Sequence, residues 1–176
     1  GTADSKVSSE VDTLSDIENI IGSTGNDTIT GSSESNWLEG RQGNDDFISS
    51  NGYDVIKGGA GTDTVDYSSL NGVTGLILDG SANINKAGGQ SDVLDSIEGF
   101  TLSASSDSVN VSANAIGNLD YVDGGSGDDK VKLIGANDLA LDGSDMAGVF
   151  SNIEELDLSG ATFAGAPCIL TGSNKN

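Results

Sequence analysis

From Ile29 to Val65 an apolar side chain recurs at every ninth position: Ile29, Leu38, Phe47, Ile56 and Val65. Mostly polar residues flank each one. The pattern predicts very short strands whose middle residue points inward and whose neighbours point outward. Written in nines, residues 22–66 read GSTGNDTIT, GSSESNWLE, GRQGNDDFI, SSNGYDVIK and GGAGTDTVD, five blocks in one register without a gap. The six residues before each short strand are turn chemistry. The first place holds Gly22, Gly31, Gly40, Ser49 and Gly58, and the fourth holds Gly25, Glu34, Gly43, Gly52 and Gly61. Glycine there permits positive φ and close backbone approach.

Two blocks make one coil of eighteen residues. Ile29, Phe47 and Val65 then stack on one sheet, and Leu38 and Ile56 on the other. The sixth places stack in the same way. Asp27, Asp45 and Asp63 form one column, and Asn36 and Asp54 the opposite one. Turns one strand spacing apart, roughly 4.7–4.9 Å, bring these carboxylates together. At an effective dielectric near 20, two such charges at ~4 Å repel by about 4 kcal/mol. A cation between the turns relieves this. Seven Lys and Arg in the whole chain look too few for the task, and only Arg41 and Lys57 lie in this stretch. Oxygen donors without a nearby imidazole or thiolate select a hard cation, and calcium suits a loose shell of six to eight oxygens better than magnesium does.

A run of G-G-x-G-x-D-x-U-x nonapeptides is the mark of a calcium-binding β-solenoid. Residues 22–66 resemble the repeats-in-toxin (RTX) family of secreted bacterial proteins. The resemblance implies an all-β, right-handed parallel β-roll with calcium ions between stacked turns. It also implies export of the unfolded chain through type I secretion. On this reading the metal-site residues are Asp27, Asn36, Asp45, Asp54, Asp63, Asp120, Asp129 and Asp138, with Gly22, Gly40, Gly58 and Gly124.

Around this centre the chain divides into further stretches. Residues 1–21 read as a lead-in with one or more strands, preferred over a helix because Ile20 and Ile21 feed straight into the first turn. Residues 67–91 read as a connecting strand, VTGLILDG, followed by a loop, SANINKAGGQS. Residues 92–142 form a second, degenerate run. There LSASSDSVN keeps Asp107 and an apolar eighth residue, residues 111–114 are an insertion, and AIGNLDYVD and GGSGDDKVK restore the period. Near Asp138 the register slips, because Leu139 and Leu141 flank the eighth place. Residues 143–176 are a terminal strand or cap. DVLDSIE at 92–98 echoes DTLSDIE at 12–18, and SNIEELDLSG at 151–160 is a weaker third copy.

Charge narrows the partners. The chain has 28 acids against seven bases, a formal net charge of −21, and the acids are spread along it rather than gathered in a tail. That argues against nucleic acid and anionic membranes. No stretch is long or apolar enough to span a bilayer, and the start lacks a secretory signal pattern. Gly1 reads as a cut from something longer, so an export signal is expected elsewhere. The single cysteine, Cys168, excludes an internal disulfide and reads as a small buried hydrophobe.

The absence of histidine removes Ser-His-Asp and Cys-His nucleophile systems and the usual zinc hydrolase sites. Carboxylate pairs of the glycosidase kind are present as residue types, but metal ligation and solvated faces account for them better. Thr28 and Thr64 at seventh places do not make the ladder of an ice-binding face. Trp37, Ile48 and Val55 read as scattered outward apolar residues, with a small patch open to weak self-association as the alternative. The expected role is therefore not enzymatic. The expectation is a calcium-binding structural module of an extracellular, secreted or cell-surface bacterial protein of adhesin type, in contact with neighbouring modules of the same parent chain. The alternative is the non-catalytic carrier of a secreted hydrolase or toxin, or a surface-layer segment.

Overall fold

The computed structural model describes residues 17–78, 81–135 and 148–159. Its strands are β1 (Asn19–Ile21), β2 (Thr28–Thr30), β3 (Trp37–Gln42), β4 (Asp46–Ile48), β5 (Val55–Ala60), β6 (Thr64–Asp66), β7 (Val73–Leu78) and β8 (Ser81–Lys86). After them come β9 (Ser91–Asp95), β10 (Gly99–Thr101), β11 (Ser108–Ser112), β12 (Tyr121–Asp123), β13 (Lys130–Ile134), β14 (Phe150–Ser151) and β15 (Glu155–Asp157). Two facing sheets result, a parallel β-solenoid. The six-stranded sheet runs β14-β12-β10-β6-β4-β2, and the nine-stranded sheet runs β1-β3-β5-β9-β8-β7-β11-β13-β15.

The eighth-place residues build the core by stacking in register. Ile29, Phe47, Val65, Phe100, Val122 and Phe150 align along the six-stranded sheet. Ile20, Leu38, Ile56 and Leu94 align along the other. Phe47, Ile56 and Val65 are completely buried. Each short strand contributes little core, so coil-to-coil stacking supplies nearly all the apolar contact. Fourth-place glycines let the turns nest. Gly61 has φ +147°, and a Cβ on it would lie 1.9 Å from Gly43 O.

Residues 67–91 differ from the expected strand and loop. The strand is there as β7, but SANINK is a second strand rather than a loop. β8 pairs antiparallel with both β7 and β9, the one reversed strand in an otherwise parallel sheet among the described residues. Its alternation is regular: Ala82, Ile84 and Lys86 are buried while Asn83 and Asn85 are exposed. A lysine on the inward face hid the period. Gly75 on β7 leaves room for Ile84, since a Cβ there would sit 2.6 Å from Ile84 Cδ1. Downstream, Val111 extends β11 inward, and Ala113 and Ala115 are buried in a 3-10 turn (Ala113–Ala115). This extra turn explains why Asp107 and Asp129 are 22 residues apart rather than eighteen. Residues 1–16, the slip near Asp138, and Cys168 lie outside the described residues.

The inward–outward register has a direct check. Phe47→Ala should cost about 3–5 kcal/mol of stability in saturating calcium. Trp37, 39% exposed with Lys57 Nζ 5.0 Å from its ring centroid, should cost about 1 kcal/mol or less when replaced by Ala. Urea unfolding of both variants measures the difference, and equal losses would contradict the stacking.

Candidate functional site

The sixth-place side chains turn back into the coil and tie it to its neighbour. Asp45 Oδ1 accepts the Asp27 N–H at 2.8 Å, and Asp63 Oδ1 accepts the Asp45 N–H at 2.8 Å. Glu98 Oε2 ends that ladder on the Asp63 N–H at 2.9 Å. On the opposite side Asp54 Oδ1 accepts the Asn36 N–H at 2.9 Å, and Asp92 Oδ1 accepts the Asp54 N–H at 3.0 Å. Beyond β8 the pattern resumes. Asp107 Oδ1 accepts the Val73 N–H, Asp129 Oδ1 the Asp107 N–H, and Glu154 Oε2 the Asp129 N–H, at 2.6, 2.8 and 2.9 Å. Aspartate suits the place because its short carboxylate reaches an N–H one coil away, and N–H bonds to an ionised acceptor are strong ones.

That leaves the second oxygen. Asp45, Asp63 and Asp129 each carry a buried Oδ2 with no hydrogen-bond partner. An unmet buried acceptor costs about 1–3 kcal/mol, and more when charged. Each of these oxygens faces the glycine at the first place of its own block. A Cβ on Gly40 would fall 2.1 Å from Asp45 Oδ2 and 2.8 Å from Gly58 O of the next coil. On Gly58 it would fall 2.4 Å from Asp63 Oδ2 and 2.0 Å from Ser96 O, and on Gly124 2.8 Å from Asp129 Oδ2 and 2.1 Å from Asn152 O. On Gly22 it would fall 2.6 Å from Asp27 Oδ2, which here accepts the Ser23 N–H, and 2.9 Å from Gly40 O. The glycines keep side chains out of a space bounded by one carboxylate oxygen and main-chain carbonyls. Among the described residues no three His, Cys, Asp or Glu side chains converge, which follows from a donor set that is mostly backbone. An all-oxygen cradle with an orphaned charge fits calcium.

Electrostatics agree. Burial pushes the Asp63 carboxyl up to about 6, against the opposing bond from the Asp45 N–H. Burial likewise raises Asp45 and Asp129. Without a cation, burial makes the ionised form of each of these groups costlier.

The structure thus brings Asp27, Asp45 and Asp63 together, and Asn36 and Asp54 together, with Gly22, Gly40, Gly58 and Gly124 beside the carboxylates. Asn36 differs from the aspartates in being neutral. Its Oδ1 accepts the Ser32 N–H at 2.7 Å and its Nδ2 donates to Ser32 Oγ at 3.2 Å. Asp120 is not brought in. It is exposed, and its main-chain N–H makes the contact to the previous coil, at 2.8 Å from Glu98 O. Asp138 lies outside the described residues. Five residues of the ladders were absent from the expected set. Asp92 and Asp107 carry the signal Asp-x-apolar in DVL and DSV. Glu98 and Glu154 are the Glu of the recurring Ile-Glu echo. Lys86 gave no signal. Its Nζ lies 3.1 Å from Asp54 Oδ2 and 2.6 Å from Asp92 Oδ1, so the expectation that the bases cannot neutralise a column fails at this turn.

Two outcomes are expected. Gly40→Ala places a methyl in the cradle without needing a positive φ, so calorimetry should show the loss of about one calcium ion. Unchanged stoichiometry would remove Gly40 from the site. Second, carboxylates whose folded-state pKa exceeds the ordinary 3.8 hold protons more tightly when folded. Between 3.8 and about 6 the folded, metal-free chain carries more protons than the unfolded one, so its stability falls as pH rises through that window. Metal-stripped protein should therefore show more β signal in circular dichroism at pH 5 than at pH 7.5, and the reverse order would contradict the burial of these groups.

RTX calcium-binding nonapeptide repeats (four copies) match residues 12–47, 39–73 and 119–131. No curated protein sequence matches the chain. Among solved structures, the extracellular lipase LipA from Serratia marcescens is similar at 19% identity and a TM-score of 0.45. The similarity covers 83% of this chain and 28% of the lipase chain. Over residues 12–73 and 119–131, then, the chain is similar to the RTX calcium-binding nonapeptide repeats.

Proposed function

We propose that this chain is a calcium-closed structural module of a secreted or cell-surface bacterial protein of adhesin type, whose work is to fold on meeting external calcium and then to hold or extend neighbouring modules. The observation that carries this is the repeated pairing of an orphaned carboxylate oxygen with a glycine-lined, carbonyl-walled space, at Asp45, Asp63 and Asp129. The residues that hold the ions are Asp27, Asp45, Asp63 and Asp129, with main-chain oxygens such as Gly40 O, Gly58 O, Ser96 O and Asn152 O. Calcium supplies the positive charge between turns. The chain supplies oxygens preset at coil spacing and, through the glycines, the room for the ion.

The module's role is structural rather than catalytic. Its acids serve the turns. Among the described residues no helix is long and apolar enough to cross a membrane. Export fits the same physics, because a chain whose buried charges lack a partner stays loose where calcium is scarce and closes where it is abundant.

In metal-stripped protein at low salt, amide hydrogen exchange should show Ile29 and Phe47 unprotected, and millimolar calcium should protect them. Magnesium at the same level should not, because its tight octahedron does not suit a carbonyl-walled cradle. Strong protection of both amides without metal, or equal protection by magnesium, would end the calcium-folding reading.

A further inference from the structure

One cation in the turn columns is already in place. Lys86 is the last residue of β8, and its side chain is 2% exposed. Its ammonium donates to Asp54 Oδ2 at 3.1 Å, Asp92 Oδ1 at 2.6 Å and Ser50 O at 2.8 Å. Asp54 Oδ2 is the counterpart of the oxygens left unpartnered on Asp45, Asp63 and Asp129. The ammonium's partners are a sixth-place carboxylate, the sixth-place carboxylate of the next coil and a turn carbonyl. That is the type of donor set that bounds the glycine-lined cradles.

The sequence departs from the repeat at this same turn. Among the five blocks of residues 22–66, only this one has serine at the first place. Ser49 is buried, and its Oγ donates to Asp92 Oδ2 at 3.2 Å. The buried Tyr67 hydroxyl donates to the same oxygen at 3.1 Å. Each carboxylate oxygen of the Asp54–Asp92 pair thus has a partner within the chain. The direction of β8 explains how the lysine arrives. Parallel strands of the nine-stranded sheet begin at this turn column and run away from it. In that sheet only a reversed strand ends there, and β8 is antiparallel to β9 and β7.

We propose that Lys86 is a tethered cation that occupies, between the Asp54 and Asp92 turns, the position a calcium ion takes between the other turns, so that this coil junction closes without metal. The proposal rests on the calcium reading of the other turns. It assigns a role to the β7-β8-β9 reversal, which delivers a tethered ammonium to the turn column at the end of β8.

The test uses two measurements on the full chain. The Val93 amide bridges this junction, donating to Asp54 O at 2.9 Å. The Asp46 and Thr64 amides make the same bonds in the opposite column, to Asp27 O and Asp45 O at 2.8 and 2.9 Å. In metal-stripped wild type, Val93 should exchange about tenfold more slowly than Asp46 and Thr64. Equal rates would overturn the proposal. Second, Lys86→Met should lose that difference without metal, regain it in calcium, and bind one more calcium ion than wild type by native mass spectrometry. In Lys86→Met/Asp92→Asn, which halves the uncompensated charge, the extra ion should disappear. If Lys86→Met is destabilised but gains no calcium, or fails to fold in calcium, Lys86 is an ordinary buried ion pair and the proposal falls. Wild type that binds no calcium at all would instead overturn the reading of the other turns, leaving the exchange result at Val93 to judge Lys86 separately.

Discussion

A buried carboxylate with one oxygen committed and one oxygen open is the constraint on which this solenoid depends. Oδ1 of Asp45, Asp63 and Asp129 accepts the N–H of the sixth-place residue one coil earlier, which fixes the stacking distance and register of the turns. The same bond carries the negative charge out of water, and Oδ2 then has nothing to receive it. Turns held at strand spacing cannot move apart to relieve the repulsion. The core offers little slack, since each coil contributes only a few inward side chains. The geometry that gives the fold its repeat is therefore the geometry that demands a cation. Two answers appear in one chain: a glycine-lined space beside Asp45, Asp63 and Asp129, and a lysine between Asp54 and Asp92.

Much of this was legible because the repeat ties chemistry to position. The nine-residue spacing of Ile29, Leu38 and Phe47 placed alternate blocks on opposite sheets, and the observed pairings Ile29–Phe47 and Leu38–Ile56 follow that division. The repeated sixth place likewise put Asp27, Asp45 and Asp63 in one column. What stayed hidden breaks the period. β8 has a two-residue alternation with Lys86 on its inward face, and a charged residue there reads as surface until a partner is known. Asp120 satisfies the spacing but follows the buried 3-10 turn, Ala113–Ala115, and its carboxylate stays exposed. Periodicity reports which residues are equivalent in an ideal coil. It does not report where an inserted turn moves one of them out of line.

The echo of Ile-Glu has a physical meaning that sequence alone did not supply. Glu98 and Glu154 occupy sixth places, immediately before β10 and β15, and accept the N–H groups of Asp63 and Asp129 through Oε2. The longer side chain closes a ladder where the next turn has a different shape: Ser96 and Asn152, two residues before each Glu, have φ of 55° and 50°. Their carbonyls are the ones that approach Gly58 and Gly124. A glutamate after a left-handed residue is thus a variant turn that keeps both the inter-coil bond and a carbonyl beside the carboxylate.

A solenoid can mix such variants because each coil touches only its neighbours, so its stability is a sum of local junctions rather than one shared core. In a globular core a buried lysine between two aspartates would set the fate of the whole domain, and its desolvation would have to be matched at once. Here the cost and the gain fall on a single junction. A lysine-closed turn beside metal-closed turns therefore divides the chain into parts that answer differently to calcium, with the β5–β9 junction as the fixed part. Such a junction gives the neighbouring coils a paired edge to add to, and parallel pairing onto an existing edge avoids the loop-closure entropy of forming the first pair. On this account the reversal at β8 is more than an interruption of the roll: it is a metal-independent starting point from which the metal-dependent turns can stack.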